Sequence, residues 1–174
     1  MGIQFETDYN METLTAMAKS LRKTVRKKRS RRVHIFAAVV LVLGLLTILA
    51  TTAGGEPLGA SGVVTLLAML VVILVSLFED KLNAWFARKR LLPGTEHAAA
   101  TFEEDGYVSA TSMSESKFSY AQIVAVAETE RYFVFALSSH HTQAYDKRTI
   151  RGGSVEDFRA FIAEKTGKLV ENIK

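Results

Sequence analysis

The sequence has no cysteine and only two prolines in 174 residues. Lack of cysteine excludes disulfide staples, thiolate metal ligands and thiol nucleophiles together, and fits a reducing compartment. No phosphate-cradling glycine loop, no paired-histidine zinc helix and no Gly-x-Ser-x-Gly elbow occurs. Charge is missing from two long stretches. Val33 to Gly55 is a run of 23 residues without a formal charge, and a second uncharged run extends from Pro57 to Phe78. An ion pathway needs ionisable groups within the membrane, and neither run holds one; His34 stands only at the edge of the first.

What charge there is lies unevenly. Residues 1–32 hold nine Lys/Arg against three Asp/Glu, residues 33–96 four against four, and residues 97–174 nine against eleven. The overall +4 is therefore an N-terminal excess followed by a neutral middle and a mildly acidic C-terminal part. A nucleic-acid binder carries its positive charge across the folded domain that meets the phosphates. Here the folded part is acidic, so nucleic acid is not the expected partner.

Roughly 20 apolar residues at about 1.5 Å rise cross a hydrocarbon core of about 30 Å. Each uncharged run meets that length, which predicts two transmembrane helices over about 33–53 and 62–79. Two helices apolar on every side could otherwise be buried only by more protein than remains in the chain. The connection Gly54 to Gly62 is rich in helix breakers and has no Lys or Arg, so it reads as a tight external turn. Arg26, Lys27, Lys28, Arg29, Arg31 and Arg32 precede the first span, and Lys81, Arg88, Lys89 and Arg90 follow the second. The positive-inside rule then places both termini in the cytoplasm. The basic leader is too long, and the first run exceeds the 7–15 residues usual for a cleaved signal, so the first span is expected to stay as an anchor. Trp85 and Phe86 suit the headgroup level as interface anchors, on a face shared with Leu82.

The expected organisation is a cytoplasmic strand and basic helix over 1–32, a transmembrane hairpin over 33–91, and a cytoplasmic α+β domain over 97–174. Ile3 to Tyr9 alternates apolar and polar residues as a half-buried strand does. Asn10 can cap a helix in which Leu14, Met17, Ala18, Leu21 and Val25 form an apolar stripe, and this helix is expected to run on into the first span. After Pro93-Gly94 the pattern predicts short antiparallel strands at 100–105, 107–111, 117–120, 123–129, 132–137 and 142–146, with a tight turn at Asp105-Gly106. Ser154 can cap a helix over 155–165 that presents Val155, Phe158, Phe161 and Ile162 on one side and stops at Gly167. Whether the N-terminal strand joins the later sheet is left open at this point. Strand count and the closing helix resemble the pleckstrin-homology-like architecture.

Candidate sites are few. The basic run Arg26 to Arg32 can recruit anionic lipid at about 1 kcal/mol per charge, and Lys147 and Arg148 can meet lipid phosphates or a partner's acids. His140 and His141 follow two serines in an expected loop, and Glu103, Glu104 and Asp105 form an acidic run beside a turn; an exposed turn and a solvated hairpin end are the simpler readings. No catalytic set, metal site or cofactor is expected.

Several strings and their order resemble the YcxB-like family of bacterial membrane proteins. They are Phe5-Glu6-Thr7-Asp8-Tyr9, the basic helix leading into two spans, Phe102 to Tyr107, Tyr120-Ala121-Gln122-Ile123, and Tyr145-Asp146-Lys147-Arg148 before the last helix. The resemblance implies a bacterial inner-membrane protein and carries over no catalytic residue. The leading expectation is a non-enzymatic membrane protein whose cytoplasmic domain binds a protein or a lipid headgroup at the inner leaflet, with self-association as a further form of partnership. The alternative is an accessory subunit of a transporter or pore, with Gly44, Ala60, Gly62 and Ala68 as the small residues of a packing face.

Overall fold

A computed structural model describes residues 2–55 and 58–174. Strand β1 (Ile3–Asp8) buries Ile3, Phe5 and Thr7 and leaves the alternate residues outside. Asn10 caps helix α1 (Met11–Lys23), its Oδ1 accepting from the backbone N–H groups of Glu12 and Thr13. The chain then turns. α1 does not run on into the first apolar helix: the Thr24 hydroxyl donates to the Ser20 carbonyl, the Arg26 N–H reaches back to Leu21, and α2 (Lys27–Ala53) begins a new axis. The break is needed because α1 lies along the folded domain while α2 departs from it.

α2 and α3 (Ala60–Leu77) are both long and apolar enough to cross a membrane, and their large apolar side chains face outward. Their threonine hydroxyls donate to carbonyls one turn back, as Thr47 does to Leu43 and Thr65 to Ser61, so these threonines need no outside partner. The two helices meet where Gly44 faces Met69 and Thr65. Glu56 and Pro57 of the expected external turn lie outside the described residues. Beyond α3, helix α4 (Glu79–Lys89) packs along α1, with Ala84 and Ser20 buried between them. Small side chains at that crossing let the two backbones come close.

The α+β domain has two four-stranded sheets. The first has the order β1-β2-β3-β4, with β2 at His97–Phe102, β3 at Tyr107–Thr111 and β4 at Glu115–Phe118. β1 pairs antiparallel with β2, Ile3 opposite Phe102 and Asp8 opposite His97, so the N-terminal strand does join the later sheet. That pairing starts β2 three residues earlier than expected, and Glu103 to Gly106 form a four-residue turn closed by Glu103 N–H to the Gly106 carbonyl. The expected strand at 117–120 moves to Glu115–Phe118, because Ser119 caps a 3₁₀ turn over Tyr120–Gln122.

The second sheet has the order β7-β6-β5-β8, from β5 (Ala125–Glu128), β6 (Tyr132–Ala136), β7 (Thr142–Asp146) and β8 (Val170–Asn172). β8 was not expected. It runs parallel to β5 where every other pair is antiparallel. Helix α5 (Val155–Thr166) is capped by Ser154 as expected, Asp157 makes the cap reciprocal, and the helix ends at Gly167 with φ +64. Phe158 and Ile162 are fully buried among the inter-sheet aromatics, with the Phe5 and Phe158 ring centroids 4.7 Å apart and those of Phe102 and Phe158 4.8 Å apart. β6 is buried on both faces: Phe133 and Phe135 join the aromatic core, while Tyr132 and Val134 meet Ala16 and Met17 of α1. α1 is thus held between the second sheet and α4, which ties the helical hairpin to the domain.

Candidate functional site

The turn between α1 and α2, the start of α4 and the loop from β6 to β7 meet at one place. They enclose a crevice of about 380 Å³ lined by Arg22, Arg26, Arg29, Ser30, Asn83 and His140, with Glu79 at its side and Val33 at the apolar end. Each arginine arrives by a different route. Arg22, in the last turn of α1, holds Asp80 through two parallel bonds of 2.7 Å from Nε and Nη2, and Glu79 lies 3.8 Å away. This bidentate pairing raises its already high pKa, and it fixes the guanidinium plane. Arg26, at the turn itself, donates from Nε to the Ser139 carbonyl at 2.6 Å and meets His140 Nδ1 at 3.0 Å through Nη2. Burial, and then repulsion from Arg29, lower its pKa; the guanidinium nonetheless stays cationic at every physiological pH. Arg29 has no side-chain partner among the described residues.

A cation that is partly desolvated, held in place by neutral acceptors and set beside a second, unpaired cation is arranged to receive an anion. Ser30 and Asn83 add a hydroxyl and a carboxamide at the same wall. Arg26 and Arg29 have no carboxylate at ion-pair distance among the described residues, although Glu79 on the crevice wall still acts on Arg26, and they offer the planar, forked donors that match phosphate oxygens.

The structure divides the sequence-predicted residues. Arg26 and Arg29 share the crevice, while Lys27, Lys28, Arg31 and Arg32 stand exposed around the first turns of α2. Lys147 and Arg148 lie elsewhere. The Lys147 ammonium is committed to Glu128 at 2.7 Å, and its side chain is only 14% exposed, so it is not a free cation for lipid or partner. Glu128 also takes a bidentate pair from Arg159 at 2.6 and 2.7 Å, and that pairing is the main reason its carboxyl titrates low. Asp146 receives Arg131 and Arg148, and Arg131 reaches Glu12 as well. A wider groove of about 890 Å³ runs beside α1 past Glu128, Arg131 and Lys147; Arg131 and Lys147 are paired internally, while Lys19 and Lys81 line it as well. Trp85 and Phe86 stack edge to face on α4, both about half exposed, with the Lys89 ammonium 3.7 Å above the Trp85 ring.

Arg22, Ser30 and Asn83 were missed as site residues, and His140, singled out but read as part of an exposed turn, reaches the crevice. Arg22, Arg26 and Arg29 recur at four and three residues, a spacing that reads as one helical face. Nothing local in the sequence marks Asn83, and nothing local pairs His140 with Arg26, since both come to the crevice from elements far along the chain.

Residues 102–162 match the family model described as YcxB-like protein. The matched segment runs from the end of β2 to Ile162 in α5 and contains Phe102 to Tyr107, Tyr120 to Ile123 and Tyr145 to Arg148, so over these residues the resemblance to that family is shown. No curated protein and no solved structure matches the chain.

Proposed function

We propose that this protein is a non-enzymatic module tethered to the bacterial inner membrane, and that its α+β domain engages an anionic lipid headgroup at the cytoplasmic face. In this reading α2 and α3 form the anchor, with both termini in the cytoplasm. The crevice carries the reading: Arg26 and Arg29 stand without a carboxylate partner just before Val33, where the first uncharged run begins. If α2 spans, that is headgroup depth, and the exposed Lys27, Lys28, Arg31 and Arg32 surround the same level with further positive charge. Trp85, Phe86 and Lys89 on α4 suit that boundary too. The domain itself, two sheets closed by a C-terminal helix, is compatible with a pleckstrin-homology-like architecture.

Reading the hairpin as an accessory subunit that packs on other spans is less favoured, because Gly44 faces Met69 and Thr65 of its own neighbour. The test uses the full-length protein in mild detergent, with retained phosphatidylglycerol measured by native mass spectrometry. Wild type is expected to retain it, and Arg26→Ala with Arg29→Ala to lose it several-fold, while Lys147→Ala keeps it. Equal retention by the double variant would remove the crevice as the headgroup site. Orientation has its own test, made simple by the absence of native cysteine. A cysteine at Ser61 should react with an impermeant maleimide added to whole cells, and one at Lys168 should react only after lysis; the opposite pattern overturns the topology.

A further inference from the structure

The space between the two sheets is filled unequally. At one end it holds the aromatic core. At the other, the register sets Ala98 opposite Thr111 and Ser109 opposite Ser116, and these short side chains leave a cleft of about 400 Å³. Leu14 and Met17 of α1 and Leu91, just beyond α4, line an apolar wall of the same cleft. A volume within about 300–1,000 Å³, mostly apolar walls and a few placed polar groups are the usual attributes of a small-molecule site.

Gln143 supplies the placed group. It is 7% exposed, yet it lines the cleft. Its Oε1 accepts from two hydroxyls, that of Tyr107 at 2.8 Å and that of Tyr145 at 2.7 Å. Burial raises both phenols, so both remain neutral donors. Two donors on one oxygen fix that oxygen toward the aromatic core and leave the amide nitrogen on the cleft side. The nitrogen has no partner among the described residues. It is open to the cleft rather than sealed in the core, so its two N–H groups are free to donate to an acceptor placed there.

Charge selects the class of occupant. No Lys, Arg, Asp or Glu lines the cleft among the described residues; His140 and His141 do, and His140 faces the Arg26 guanidinium through Nδ1. A charged group placed there would lose its water without gaining an opposite charge. We propose that the cleft binds a small uncharged molecule that offers a carbonyl oxygen to the Gln143 amide nitrogen and lays an apolar body against Leu14, Met17 and Leu91. The proposal is independent of the headgroup crevice.

The chain has three glutamines, Gln4, Gln122 and Gln143, so isotope labelling of glutamine side-chain amides gives a readable spectrum from the full-length protein in phosphatidylcholine nanodiscs. The probe is acetanilide, a neutral amide with an aromatic ring. It should shift the Gln143 amide signals saturably and leave those of Gln4 and Gln122 in place. Ser116→Phe and Ala98→Leu fill the cleft from different strands, and each should weaken the effect about tenfold while the other two amides still report a folded domain. A wild-type spectrum with no saturable Gln143 shift overturns the proposal, whatever the variants do. Undiminished binding by both filled variants would overturn it as well, and tighter binding of benzoate than of acetanilide would overturn the uncharged class.

Discussion

Gly106 is legible in the sequence as a turn residue, but the reason for glycine there is visible only in three dimensions. A Cβ at this position would stand 2.5 Å from the Phe118 carbonyl oxygen, and the Gly106 carbonyl takes the Tyr120 hydroxyl at 2.9 Å. Gly106→Ala is therefore expected to cost about 1–3 kcal/mol through displaced backbone, measurable as a lowered melting temperature; an unchanged melt would mean that β4 yields freely. Glu128 is the opposite case, an ordinary acid in the sequence that is buried with two cations in the structure. Its pKa is lower in the folded state than in the unfolded one, chiefly through Arg159 and then Lys147. The stability it contributes is thus complete above the ordinary carboxylate range and is lost as pH falls through the folded value. Glu128→Gln should cost about 3 kcal/mol near neutrality, because Lys147 is left desolvated without its anion. The variant should also lose less than wild type between neutral and acidic pH in denaturant titrations, and an identical acid slope would refute the linkage.

Elements whose stabilising signals are local were readable: α1 from Asn10 and its apolar stripe, α5 from Ser154 and Gly167, β1 from alternation. The elements that were misplaced depend on distant partners. β2 begins at His97 because Asp8 lies opposite it, and the three-residue β8 exists only because β5 offers a parallel edge. The break at Thr24 to Arg26 was hidden for the same reason, since Arg26 is drawn to Ser139 across 113 positions of sequence. The candidate site followed this division: Arg26 and Arg29 were legible as charge, but Asn83 and His140 were not, and Lys147 looked free until Glu128 was placed against it. At the scale of elements, the α1–α4 crossing is the joint between hairpin and domain. Ala84 has no exposed surface there. Ala84→Leu should force the helices apart at about 1–3 kcal/mol and weaken the Arg22–Asp80 pair. Faster proteolysis in the 24–26 turn, with the sheets still protected, would be the signature of a loosened joint, and unchanged protection there would count against it.

The whole molecule is closed by its N-terminus. β1 and α1 lie on the far side of both apolar helices in the sequence, yet Phe5 is central to the aromatic core, β1 covers the edge of β2, and Ala16 and Met17 cover Tyr132 and Val134. The Thr13 hydroxyl also meets that of Tyr132 at 3.1 Å. Removing these two elements would expose an unpaired sheet edge and one whole face of the second sheet, and burial of Phe5 alone is worth about 3 kcal/mol. Residues 97–174 are consequently not expected to fold stably alone, although the YcxB-like match lies wholly within that stretch. A chain that joins residues 2–24 to residues 79–174 by a flexible glycine-serine linker, omitting the hairpin, should restore a cooperative thermal transition and slow amide exchange in β2 and β6. If residues 97–174 show the same exchange protection without β1 and α1, the domain is self-sufficient and the hairpin is only an insertion beside it. If only the joined chain does, then the domain closes only when β1 and α1 reach it from the other side of the two apolar helices, and those helices serve its folding only as the link that brings the two parts together.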